Sequence, residues 1–110
     1  MTWIVAFAIT QCVEVPIYGW WLRDVPWPRR FALAFTTSAL THPWLWFVLP
    51  EWLRQPLGYV GYVAVGETLV WLAEAGLLVL ANVAPRRALL AALCANVASL
   101  SVGFLWSALT

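Results

Sequence analysis

Apolar runs fill most of this chain, and polar residues interrupt them at three places: LRDVPWPRR at 22–30, EWLRQP at 51–56 and NVAPRR at 82–87. Dividing the chain there leaves runs of about 3–22, 31–50, 57–82 and 88–109. Each is close to the roughly 20 residues a helix needs to cross the hydrocarbon core. The pattern predicts an all-α integral membrane protein of four transmembrane helices. Internal similarity suggests how they are arranged. PRRFALAFTTSAL at 28–40 matches PRRALLAALCANV at 85–97, and each follows an acidic helix, CVEVPIY at 12–18 and LAEAGLL at 72–78. Glu14 then corresponds to Glu74, and Pro16 to Gly76. Repeats of two spans, about 3–50 and 57–109, enter the membrane in the same direction. The expected architecture is two tandem helical hairpins related by a pseudo-twofold axis along the membrane normal.

Composition supports the membrane reading. Of 110 residues, 64% are hydrophobic and 10% charged, against about one quarter charged in a soluble domain. The four spans and their connections use up these residues and leave none for a domain outside the bilayer. The net charge of +1 comes with six basic residues that are all Arg and sit at helix ends, which argues against a nucleic-acid surface. Arg23, Arg29, Arg30, Arg86 and Arg87 flank the first and third connections, and only Arg54 lies near the second. The positive-inside bias puts the first and third connections in the cytoplasm and both termini outside. Arg without Lys, among abundant Trp, Ala and Leu, suggests a GC-rich bacterium and its cytoplasmic (inner) membrane. The first twenty residues lack the basic start and the small-residue cleavage site of a signal peptide and contain Glu14, so they are expected to form the first span. Most tryptophans lie near span ends, where an indole suits the interface. Cys12 and Cys94 fall within apolar runs, as small hydrophobes do.

The chemistry lies in the polar residues inside the spans. Glu14, Glu67 and Glu74 stand where hydrocarbon is expected, and a central charge costs about 2.5–3.5 kcal/mol there. Glu14 and Glu74 are each about 12 Å from the cytoplasmic end, with Glu67 about 10 Å further out on the face of Glu74. Ser38 and Asn96 lie level with the deeper pair. Ser38 shares a helix face with Thr41 and His42, and Asn96 with Ser99. Trp71, between Glu67 and Glu74, is expected to donate its indole N–H to one of them. Pro16 and Pro43 should kink their helices and free the carbonyls of Cys12 and Ala39. Carboxylates, hydroxyls and free carbonyls suit a proton network, a cation or ordered waters. His42 fits as a hydrogen-bonding member, there being no second His for a tetrapyrrole and no haem-attachment motif.

As the residues stand, the arrangement is E14…S38-A-L-T41-H42-P43…E67…E74…N96-V-A-S99. It resembles a pattern in small, poorly characterised bacterial four-span membrane proteins: an acidic first helix, an Asn-x-x-Thr-His-Pro helix, a helix with two glutamates and an Asn-x-x-Ser helix. Ser38 departs from it, standing where Asn is the rule. The resemblance implies a shared polar site and no particular activity.

The expected function is a buried site of Glu14, Glu74, Asn96, Glu67, Ser38, Thr41, His42 and Ser99 that binds or conducts a proton, a cation or a small polar ligand. Four short helices scarcely enclose a wide path, so a homo-oligomer or a larger membrane complex is the expected assembly, with the bilayer as the other partner. The alternative is a non-catalytic accessory subunit packed laterally in a larger protein or pigment complex. A third reading, an intramembrane enzyme using the glutamates and His42 as acid and base, lacks an H-E-x-x-H motif or an activated serine constellation.

Overall fold

The computed structural model describes residues 2–110, all helix and short connection with no strand among them. An N-terminal helix, Trp3–Trp21, is followed by one long helical run, Trp27–Leu80, kinked at Gly58, and a C-terminal helix, Pro85–Leu109. Each of the three is long and apolar enough to cross a membrane. Their surface is inverted relative to a soluble protein. Large apolar side chains such as Ile4, Phe31, Leu69, Val97 and Leu105 are exposed, while Glu14, Thr37, Ser38, Thr41, His42, Glu74 and Asn96 are buried.

The long helix corrects the expected fold. Four separate spans paired as two tandem hairpins require a connection near 51–56, but those residues are helical: they belong to one 54-residue run, Trp27–Leu80, whose non-helical residue is Gly58. The two equivalent hairpins and their pseudo-twofold axis fall with it. Proline and charge made EWLRQP look like a linker. Yet its proline, Pro56, lies inside the helical segment Leu49–Leu80, two residues before the break, where it removes one backbone hydrogen bond without ending the helix. The break falls instead at Gly58, whose φ of 72° and ψ of 178° are non-helical and open almost only to glycine. A straight helix of this length would measure about 80 Å, whereas the whole molecule is 41 Å in its longest dimension. The long helix is therefore bent back on itself.

A second distortion lies upstream of the bend. After Pro43 the helix widens into a π-helical turn over Trp44–Val48, the form the predicted proline kink takes here. The returning limb packs against this turn. The Tyr62 hydroxyl donates to the Leu45 carbonyl, and a Cβ on Gly66 would stand 2.7 Å from the Leu45 side chain.

The opposite end of the molecule is closed by local chain chemistry. Asn82 at φ 71° stops the long helix, with Val83 N–H donating to the Leu78 carbonyl at 3.0 Å and Asn82 N–H to that of Val79 at 3.0 Å. This is a Schellman ending, and its apolar partners Leu78 and Val83 are both buried. Arginines occupy the last carbonyls of the helices: Arg23 that of Trp20, Arg30 that of Gly19 and Arg29 that of Ala81. They satisfy the acceptors every helix C-terminus leaves over. Arg87 pairs with Asp24 at 2.6 Å, tying the 22–26 connection to the start of the C-terminal helix. The Arg87 hydrogen bond holds the exposed Asp24 carboxyl below the usual carboxylate range.

Candidate functional site: a cavity floored by two glutamates

The buried faces repeat at helical spacing, and each carries polar groups into the interior. On the N-terminal helix the buried face includes Glu14 and Tyr18. On the outgoing limb of the long helix it is Ala34, Thr37, Ser38, Thr41 and His42. On the returning limb it is Gly66, Val70, Glu74, Ala75 and Leu78. The C-terminal helix buries Ala88, Ala91, Ala92, Ala95 and Asn96. That alanine stripe lets the backbones approach closely, as small residues do in membrane helix contacts.

Glu14 and Glu74, the latter on the returning limb, meet donors from the N-terminal helix, the outgoing limb and the C-terminal helix. Ser38 Oγ and Ser99 Oγ donate to the two oxygens of Glu14, each at 2.6 Å. Thr41 Oγ1 donates to one oxygen of Glu74 at 2.6 Å. The other accepts from Tyr18 OH at 2.5 Å and from Asn96 Nδ2 at 3.2 Å. Thr41 and Ser99 also stand near backbone carbonyls, Thr37 O at 2.9 Å and Asn96 O at 3.2 Å; each hydroxyl has one proton, and the carboxylate contact is the shorter. Charge-assisted bonds of this kind are about twice as strong as neutral ones. Each carboxylate thus joins helices distant in sequence.

A cavity of about 440 Å³ opens above this pair. All eight residues expected at the site line it: Glu14, Glu67, Glu74, Asn96, Ser38, Thr41, His42 and Ser99. They do not form one network. Glu67 reaches the cavity wall at partial burial and has no hydrogen bond to the floor.

His42 is held separately. Trp3 Nε1 donates to its Nδ1 at 3.0 Å, and Thr10 Oγ1 lies 3.2 Å from Nε2. Accepting from Trp3 leaves Nδ1 without a proton, so neutral His42 carries its proton on Nε2, facing Thr10. Trp46 stacks on the ring and Phe7 meets it edge-on. With both ring nitrogens engaged, His42 is a wall residue that anchors the N-terminal helix.

Trp71 does not serve a glutamate: its N–H donates to the Leu89 carbonyl at 2.9 Å, joining the returning limb to the C-terminal helix. Cys12 and Cys94 are exposed on the apolar exterior. Tyr18, outside the expected set, carries one sequence signal of its place: it stands four residues after Glu14 on the same helix face. Arg54, Tyr59 and Tyr62 also line the cavity, toward its mouth.

The cavity is one-ended. Its rim includes Arg54, Tyr59, Phe104 and Ser107, all exposed, at the Gly58 end. Beneath its floor, Tyr18, Leu22, Ala34, Leu78, Ala88, Ala91, Ala92 and Ala95 are fully buried in one apolar cluster. No basic residue approaches Glu14 or Glu74 within ion-pairing distance among the described residues. The chain matches no protein-family model, no curated protein and no solved structure.

Proposed function

We propose that this is a multi-pass protein of the bacterial inner membrane whose cavity binds a small cation at the Glu14–Glu74 floor. The acceptor balance there carries the reading. Two carboxylates offer about eight lone-pair positions, and five donors occupy them. About three remain, the number of N–H donors on a primary ammonium. Two carboxylates together in a low-dielectric interior also need positive charge between them, which a shared proton supplies when no other cation is bound.

The five arginines at the sealed end support an orientation in which that end faces the cytoplasm, the cavity mouth and both termini face outside, and the ligand enters from the exterior. The accessory-subunit reading gives the same residues a different task, the locking of helix register.

Calorimetry in phosphatidylcholine nanodiscs separates the two. Methylammonium should bind the wild type, and Glu74→Gln should lose that binding while remaining folded by circular dichroism, because the amide keeps the shape and removes the charge. A wild type that binds neither methylammonium nor sodium, or a Glu74→Gln variant that binds as the wild type does, defeats the cation reading and leaves the structural lock.

A further inference from the structure

The cavity carries charge of both signs, in a fixed order. Arg54 stands at the mouth, its guanidinium 5.7 Å from the Tyr59 ring centroid, and no carboxylate among the described residues lies within ion-pairing distance of it. Glu67 lies partway down, and Glu14 and Glu74 form the floor. Much of the wall between the ends is apolar, with Ile9, Leu45, Val63 and Leu100.

A simple cation satisfies the floor and is repelled by Arg54 on entry. A molecule with an ammonium at one end and an anion at the other satisfies both, and its net neutrality lowers the cost of leaving water for a low-dielectric cavity. We infer that the ligand is an elongated zwitterion: a primary ammonium seated between Glu14 and Glu74, a short hydrocarbon along the apolar wall, and a carboxylate paired with Arg54. This rests on the cation reading above and adds the anionic half.

The dimensions allow it. Tyr59 and Glu74 are separated by about 22 Å of helix, and side chains reaching inward from both ends shorten the gap to roughly 10 Å, the span of an extended eight-carbon chain. Glu67 gives the incoming ammonium an intermediate stop. Arg54 suits the far end, since guanidinium pairs with carboxylate through two parallel hydrogen bonds.

The test uses the full chain in phosphatidylcholine nanodiscs, with four probes each corrected against empty discs: ω-aminooctanoate, octylammonium, octanoate and γ-aminobutyrate. ω-Aminooctanoate should bind at least about tenfold more tightly than octylammonium or γ-aminobutyrate, with octanoate not binding, since one charge-assisted contact is worth that factor or more. Arg54→Gln should reduce ω-aminooctanoate to the level of octylammonium and leave octylammonium no weaker. Adding phosphatidylethanolamine to the discs should change nothing; competition from it would overturn a free solute in favour of a lipid headgroup of the same chemistry. Octylammonium binding the wild type as tightly as ω-aminooctanoate overturns the zwitterion while the cation reading stands. No binding by any amine defeats both.

Discussion

The two ends of this molecule are built on opposite principles. At the arginine-rich end the interior is filled: Tyr18, Leu22, Leu78 and Val83 interlock with the alanines of the C-terminal helix, a Schellman turn closes the long helix, and Asp24 and Arg87 bridge the two connections. At the Gly58 end nothing is buried between residues 49 and 65, and the C-terminal helix buries nothing beyond Asn96. Side chains there surround space instead of filling it. The carboxylates sit at the border, so the same two groups finish the packed half and floor the open one. A solute reaching them from the open side meets charge. From the other side it would have to part a close-packed core.

Disrupting the packed half should have the largest effect on stability. Leu78→Ala leaves a hole in a fully buried position. The unfolded chain stays in lipid, so little apolar transfer is lost and the packing deficit dominates, about 2–3 kcal/mol. Reversible unfolding in mixed micelles measures it, and a loss below about half that value would show that the sealed end is looser than its burial implies.

Next comes the border itself. Tyr18→Phe preserves the ring in the core and removes the donor to Glu74, which should cost about 1–3 kcal/mol through an under-satisfied carboxylate. An unchanged midpoint would mean that Glu74 does not depend on the packed half.

The open half should be more forgiving. Gly58→Ala meets no atom within 4 Å, so its cost is the backbone conformation alone, about 1–3 kcal/mol with no packing loss added. A value well above that would mean the bend is packed.

The smallest effect belongs to the exposed Asp24–Arg87 pair. A carboxyl held below its usual range in the folded state adds stability at pH values above its unfolded pKa. That contribution is lost as pH falls through the folded value. Asp24→Asn should therefore remove a small acid-side slope from the stability profile and leave the alkaline side unchanged, with a matching loss in high salt. A variant with the slope intact would assign it elsewhere.

The residues around the cavity were legible because a polar side chain in an apolar helix has few places to go: the spacing of Ser38, Thr41 and His42, or of Asn96 and Ser99, directs each set to one face, and helix rise sets its depth. Tyr18 was obscured by its own chemistry, since an aromatic near a span end ordinarily reads as an interface anchor. Glu67 and Trp71 show the limit of a one-helix argument. Sharing a face with Glu74 did not bring either into its network, because partners on neighbouring helices decide that. The long helix was misread for a related reason. Pro50, Glu51, Arg54 and Pro56 carry every local mark of a connection, while the break depends on one backbone conformation at Gly58 that charge and hydropathy do not encode. The matching segments at 28–40 and 85–97 reflect similar helix starts, each at a proline with two arginines, without making two equivalent hairpins.

One-sided access to the carboxylate floor is the claim on which the rest depends. Leu100 lines the cavity one residue beyond Ser99, so Leu100→Cys in a chain with Cys12 and Cys94 replaced by serine reports directly on entry. A membrane-impermeant zwitterionic thiol reagent, applied to right-side-out and to inverted vesicles, should modify this cysteine rapidly from the side of the Gly58 bend and negligibly from the arginine-rich side. Equal modification from both sides, or modification only from the arginine-rich side, would contradict the account.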